Sequence, residues 1–353
     1  MADKFRGKVF NANVFEKYMQ TLESTKENAL INSAIFKTVN KYRSKLSEQA
    51  GGYFITEPIK GRIGGTSVNY DGATDIPAGN ERDTYYQTKI ALGRANSWGE
   101  DDFTTELTGE NFKAEAGEIK EYWDTEKQGI ALSMLKGIFA MTGNDNFATK
   151  HTYEVNGNLA ADDCNKASQK ALGDKKAKLS VLFTHSAVST NLEGLNLINF
   201  LKYTDKDGIE RELTIGQYNG KTVIVDDDMP TEDVEAVEAD ASKGIAAADA
   251  YTKYTSYMFE NGFFEFEDVG VEVPTELVRD ARTRGGHTDI ISRVRYVIVP
   301  KYISYKTTTA KSPTNSALET GSNWEVVNNG ETGSNKKYVD SKLIPVVRII
   351  SRG

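Results

Sequence analysis

The segment Gly51-Gly-Tyr-Phe-Ile-Thr-Glu-Pro-Ile-Lys-Gly-Arg-Ile63 decides how the rest of the chain is read. Tyr53, Ile55, Ile59 and Ile63 alternate with Phe54, Thr56, Pro58, Lys60 and Arg62, the period of a half-buried strand. A second strand-like run, Tyr86-Gln-Thr-Lys-Ile-Ala-Leu92, follows a tip rich in Gly, Asn and Asp from Gly64 to Asp83. The two runs predict a long two-stranded ribbon. A two-stranded ribbon is marginal alone in water and needs a surface to lie on. The expectation is an arm laid across a neighbouring copy of the same chain, which points to assembly rather than catalysis.

Composition is compatible with that reading. The 353 residues are ample for a buried core in one elaborated domain or two. Hydrophobic residues at 39% and charged residues at 27% are ordinary for a globular protein. The apolar runs fall far short of the ~20 residues a membrane span requires, so no membrane partner is expected. Met1-Ala-Asp-Lys-Phe-Arg6 carries no apolar signal region, so export is not expected. The single cysteine, Cys164, rules out an internal disulfide framework and fits a reducing compartment. A net charge of -8 argues against tight, sequence-independent grip on nucleic acid, though not against enclosing it.

Helical signals flank the ribbon. Asn13 with Glu16 fits a capped start, and Val14, Phe15, Tyr18, Met19 and Leu22 repeat at helical spacing. Leu30 to Glu48 reads as a second helix with Ile31, Ile35 and Val39 on one face. A long helix is predicted from about Glu110 to Met141, with Ile119, Trp123, Ile130, Met134, Leu135, Ile138 and Phe139 as its stripe. Gly117, Gly129 and Gly137 weaken it and mark points of close backbone approach; Gly143-Asn-Asp-Asn146 ends it. Residues 145–285 read as a compact α+β unit. It has a helix from Asn158 to Leu172, a buried strand Leu179 to Phe183, a broken helix Ala187 to Phe200, and a hairpin from Thr214 to Val225 around Asn219-Gly220. Ile290 to Tyr305 and Leu343 to Ile350 read as strands.

No set of residues makes a defensible active site. Gly216-Gln-Tyr-Asn-Gly-Lys-Thr222, followed by Asp226-Asp-Asp228, imitates a phosphate loop and its magnesium ligands. It is one residue short, and its lysine runs into a strand where a phosphate loop opens a helix. The acidic run Asp226 to Asp240 lacks the glycine punctuation of a calcium loop and reads as a solvated loop. His151, His185 and His287 show no metal-binding spacing. His185-Ser186 follows a strand but lacks a nucleophile elbow, which leaves a structural, hydrogen-bonded histidine. Cys164 stands among carboxylates, which would raise its pKa. Neither catalytic residues nor a cofactor or metal site is expected.

From Ala171 onward the chain resembles the major capsid proteins of tailed double-stranded DNA bacteriophages, whose Hong Kong 97-type fold is shared with encapsulin shells. Leu172-Gly-Asp174 leading into Leu179 to Val188 is similar to the family's helix, strand and helix of the axial domain. Gly220 to Pro230 resembles its next strand and turn. Val273 to Asp280 and Gly285 to Pro300 resemble the return into the peripheral domain. Ser312 to Leu318, Asn323-Trp-Glu325 and Ile344 to Ile350 resemble its C-terminal end.

The resemblance implies an α+β subunit with an N-terminal arm (1–50), an extended β-hairpin loop (51–108) and a long spine helix of the peripheral domain (109–144). An axial domain (145–285) and return strands of the peripheral domain (286–353) complete it. It implies a structural coat protein that self-assembles into the pentamers and hexamers of an icosahedral head, with an encapsulin-like compartment shell as the alternative. Implied partners are further copies of itself, a separate scaffolding protein, a portal protein and packaged double-stranded DNA without sequence-specific contact. The place implied is the virion shell, assembled in the bacterial host cytoplasm. Lys60, Arg62, Arg82 and Lys89 are the expected inter-subunit contacts. Lys60 and Lys89 are also possible donors for the lysine–asparagine crosslink some members make, but nothing marks an asparagine partner, so no crosslink is expected.

Overall fold

The fold is organised by a 24-residue helix, Ala116–Phe139, that lies between two sheets. The computed structural model describes residues 3–5, 8–10, 34–48, 53–73, 75–76, 79, 82–103, 116–204, 210–236, 249–306 and 311–352. At 1.5 Å per residue this spine is about 36 Å long. Its predicted stripe is the one buried: Ile130, Met134, Leu135, Ile138 and Phe139 share a single core with Ile90, Leu92, Tyr296 and Ile298 of one sheet and Phe183, Tyr257 and Phe259 of the other. The helix ends at Phe139, and beyond Gly143 the residues Asn144, Asp145 and Asn146 all take positive φ (49°, 58° and 54°). Asn and Asp tolerate that left-handed conformation better than other side chains, because their short polar groups bond locally.

The six-stranded sheet runs Phe36–Thr38, Phe264–Asp268, His287–Pro300, Thr84–Asp101, Phe54–Lys60, with Thr275–Asp280 paired to the first half of His287–Pro300. The eight-stranded sheet runs Thr152–Asn158, Val346–Arg352, Tyr251–Phe259, Val181–Thr184, Lys221–Val225, Glu210–Tyr218, Ile198–Thr204, with Thr231–Val234 paired to the start of Tyr251–Phe259. The hairpin at Asn219-Gly220 is as expected. Tyr218 pairs with Lys221, and the two turn residues hold φ of 52° and 73°, the geometry an Asn-Gly turn supplies.

The ribbon forms in the expected place: Phe54 to Lys60 pairs with Thr84 to Ile90, and Gly61 N–H still reaches the Asp83 carbonyl at 2.8 Å. Its second strand is far longer than the periodicity indicated, because Ala91 to Asp101 continues into the sheet against His287–Val297. The ribbon also differs from expectation in its root. Ile55 packs with Tyr42, Ala91, Val269, Val297 and Val299, so the root of the ribbon is seated on its own chain.

Five further expectations are corrected. Leu30–Glu48 is not one helix: Phe36–Thr38 is a strand parallel to Phe264–Phe266, and the helix is Tyr42–Glu48. The predicted helix from Asn158 starts at Asp163, since Thr152–Asn158 is taken up as a sheet edge. The helix from Ala187 ends at Gly194, and Ile198–Thr204 is a strand after the left-handed Asn196. Val346–Arg352 returns to the eight-stranded sheet rather than to the peripheral one. Thr231–Val234, in the acidic run, is a strand and not a loop. In the first three cases strand partners distant in sequence outweigh a weak local helix signal, and in the last two long-range pairing decides the sheet or the state. The helix expected at Asn13 to Leu22 lies outside the described residues. Among the described residues no helix is long and apolar enough to cross a membrane.

The glycines of the spine separate by their surroundings. A Cβ at Gly137 would collide with the Leu318 carbonyl and the Trp324 indole, whereas one at Gly129 would meet nothing within 4 Å. Gly137→Ala should therefore lower stability by roughly 1–3 kcal/mol through overpacking against backbone. Gly129→Ala should raise it by ~0.5–1 kcal/mol through helix propensity. Urea unfolding of the two variants checks the pair, and equal effects would contradict the packing.

Candidate assembly surface

A polar cluster under the ribbon root sets where the arm leaves the subunit. Glu267 turns inward from its strand, and its carboxylate accepts the N–H groups of Lys41 (2.7 Å), Tyr42 (2.6 Å) and Arg43 (3.0 Å). It thereby caps the helix Tyr42–Glu48 from more than two hundred residues away. Burial pushes the Glu267 carboxyl up, but those three donors outweigh it and leave its pKa low. The Tyr42 hydroxyl donates to Glu265, which also pairs with Lys41 at 2.7 Å.

Lys89 sits against this cluster. Its ammonium bonds Glu57 on the facing strand and lies 3.1 Å from the Tyr42 hydroxyl and 4.6 Å from the centre of that ring. Lys45 approaches the same Glu57. Burial raises the Glu57 pKa, and the hydrogen bonds from Lys45 and Lys89 reverse that and hold it low. Glu57 occupies the Ile55 face, where the sequence pattern predicts an apolar side chain; the lysines opposite make a carboxylate tolerable there.

The expected contact residues thus divide. Lys89 is 4% exposed and its charge is engaged inside the subunit, which removes it as a group a neighbour could reach. Lys60, Arg62 and Arg82 are exposed along the ribbon, and Arg82 Nε also donates to the Gly61 carbonyl at 2.6 Å. What the pattern missed is the apolar character of the tip. Ile63 (82% exposed), Tyr70 (84%), Ile76 (74%) and Val68 (42%) stand in water on a segment with no core of its own. Scattered single apolar residues are ordinary at a surface, but several of this size on one projecting loop make it a candidate contact surface.

The catalytic imitations dissolve in the structure. Lys221 is buried in a strand, and Gly220 serves the hairpin turn, so no helix N-terminus faces a phosphate. His185 Nδ1 accepts the Ala187 N–H at 3.1 Å and caps the helix Ser186–Gly194. Ser186 Oγ lies 3.5 Å from the same nitrogen and Asp227 3.9 Å from the other, beyond the reach of an activated nucleophile. His287 is held between Asp101 (2.7 Å) and Asp289 (3.2 Å). Cys164 is pushed up to about 12, chiefly by burial, with the neighbouring Asp163 a smaller contribution than the sequence suggested. Among the described residues no three His, Cys, Asp or Glu side chains are placed to hold a metal ion.

Two predictions follow from these buried groups. Glu57→Ala strands the Lys89 ammonium and should cost about 3 kcal/mol or more, whereas Lys89→Met leaves Glu57 with Lys45 and should cost clearly less. Chemical unfolding of both variants reads the order. His151, stacked on Phe147 with Nδ1 2.7 Å from the Val346 carbonyl, is lowered from 6.5 to about 4 by burial. The unfolded chain takes up its proton first, so stability should fall as pH drops from 6.5 toward 4, by on the order of 3 kcal/mol for this group. His151→Phe should flatten the unfolding midpoint across that window.

No family model matches the chain. The major capsid protein of Bacillus phage SPP1 is 27% identical over 312 residues, covering 86% of this chain and 88% of the relative. The acid-stable capsid of Helicobacter pylori bacteriophage KHP30 superposes with a TM-score of 0.52 at 12% identity, over 100% of both chains. The capsid of cyanophage Pam1 gives 0.51 at 11% identity, over 100% of this chain and 99% of that one. By its spine helix, its two sheets and its ribbon, the chain has the α+β Hong Kong 97-type fold and resembles a phage major capsid protein along most of its length.

Proposed function

We propose that the chain is the major capsid protein of a phage, the repeated structural subunit of an icosahedral head. The observation that carries this is the ribbon: its root is locked into its own subunit, while its tip holds large apolar side chains out in water. In a shell that tip lies on an adjacent copy, and each closed contact adds to the next. A standard interface buries about 1,600 Å², and an overlapping arm adds area beyond a simple edge contact. The sequence likeness to the phage SPP1 protein supports the same reading.

Copies would gather as pentamers and hexamers, joined to one another through the ribbons. A separate scaffolding protein and a portal protein are the further partners this reading calls for, with assembly in the bacterial host cytoplasm. Double-stranded DNA is enclosed rather than gripped, in keeping with the net charge of -8. The protein works through contacts and has no catalytic task. The likenesses are to phage capsids, which leaves the encapsulin-like compartment without separate support.

Deleting Gly64 to Arg82 should leave a folded monomer, because the pairing of Phe54–Lys60 with Thr84–Ile90 remains. Electron microscopy and sedimentation of the chain, alone and with its genomic neighbours, should give closed particles for the intact protein and none for the deletion. Normal particles from the deletion variant would defeat the role given to the tip.

A further inference from the structure

At one end of the eight-stranded sheet the outer strand Thr231–Val234 carries two carboxylates, while the opposite outer strand, Thr152–Asn158, is flanked by cations from the neighbouring strand and helix. There the order is Thr152–Asn158, Val346–Arg352, Tyr251–Phe259, Thr231–Val234, with Asn158, Arg352, Lys253 and Glu232 in register across it. Each outer strand has one paired and one open edge among the described residues. With strands ~4.8 Å apart, the two open edges lie ~14 Å from each other at this level of the sheet.

Two cations from neighbouring elements flank the start of the first edge, at Thr152, level with Tyr257 and further along the strands than the acidic segment. Arg348 is laid on the Phe139 ring, 5.1 Å from its centre, and its Nε donates to Thr152 Oγ1 at 3.2 Å. Lys170 Nζ donates to the Thr152 carbonyl at 2.7 Å. Together with Thr149 and Tyr153 these side chains line a cleft of about 450 Å³ that opens at the strand edge, with Glu154 also on its wall. The second edge is acidic: Glu232, Asp233 and Glu235 are exposed, and Asp233 accepts the Thr252 hydroxyl at 2.7 Å. Among the described residues Arg348, Lys170, Glu232 and Asp233 form no ion pair.

We propose that the acidic edge strand Thr231–Val234 of one copy docks head-to-tail against the Arg348–Lys170 cleft at the opposite edge of the next copy. This rests on the self-assembly proposed above and assigns a contact separate from the ribbon. A head-to-tail interface joins two different patches of the same chain and closes a ring when its rotation permits. Complementary charge on the two patches sets the direction of travel around that ring and suppresses edge-to-edge pairing of like strands. A guanidinium already fixed by a ring and a hydroxyl presents its remaining donors to a carboxylate with little ordering left to do. The Glu154 carboxylate on the cleft wall disfavours a continuous polyanion such as a nucleic-acid backbone, whereas single carboxylates on a strand can enter beside it.

Three exposed positions test the contact without disturbing the core: Lys170, Glu232 and Asp233. Lys170→Glu, and separately Glu232→Lys with Asp233→Lys, should leave the monomer folded with a thermal midpoint lowered by no more than about 5 °C, since each loses one hydrogen bond at the surface. Each should cut the yield of rings and closed particles roughly tenfold or more, as like charges then face each other. All three substitutions in one chain should restore assembly, because the reversed patches match again. A carbodiimide should also link Lys170 to Glu232 or Asp233 in wild-type particles, a bond the two distant edges of one subunit cannot make. Reversals that assemble like wild type, or a triple variant that stays unassembled, would overturn this contact while leaving the shell reading standing. A wild-type chain that never assembles would overturn both.

Discussion

The burial of one helix face between two sheets holds this subunit together. Ala116–Phe139 supplies Ile130, Met134, Leu135, Ile138 and Phe139 to a core whose other walls come from both sheets, and Trp324 closes it with its indole N–H on the Leu318 carbonyl at 2.6 Å. Burying a large apolar side chain contributes about 1.5–3 kcal/mol, so five such residues in one stripe outweigh any single polar contact in the molecule. Because the two sheets share this helix, neither can shift without opening the same core. The ribbon and the sheet edges proposed as assembly surfaces are positioned from that frame.

The ribbon is the clearest case of a surface so positioned. Thr84–Asp101 is at once the outer half of the arm and a central strand of the six-stranded sheet, so the arm's direction is inherited from the sheet. The cluster around Glu57, Lys89, Tyr42, Glu265 and Glu267 then fixes the angle at which the arm departs. Buried charges of this kind add little net stability, since desolvation offsets most of their attraction. Their effect is geometric: a misplaced root would leave an ammonium or a carboxylate uncompensated.

Much of this was legible in the residues, and the limits of legibility have physical causes. The spine stripe was readable because a helix has a local period, and the Asn219-Gly220 turn because its backbone angles suit few other pairs. Ribbon strands showed through alternation. Phe36–Thr38 and Ile198–Thr204 did not, because short strands owe their state to partners more than a dozen residues away, and local signals for them are weak. Of the residues expected at a contact, Lys60, Arg62 and Arg82 are exposed as charged side chains on a ribbon should be, but charge alone could not reveal that Lys89 is buried against Tyr42 while Tyr70 and Ile76 face water.

By itself, then, the sequence determined the elements whose causes are local: the spine helix, the tight hairpin, the two ribbon strands and the absence of any catalytic spacing. Order and motif across the C-terminal half also carried the resemblance to capsid proteins. Only the tertiary structure decided which strands are edges, that Val346–Arg352 joins the eight-stranded sheet, and that an acidic edge strand and a cleft lined by Arg348 and Lys170 stand at opposite edges of it. The reason is that strand pairing is a long-range choice made by the whole core at once, and a side chain's charge says nothing of its neighbours until that choice is made.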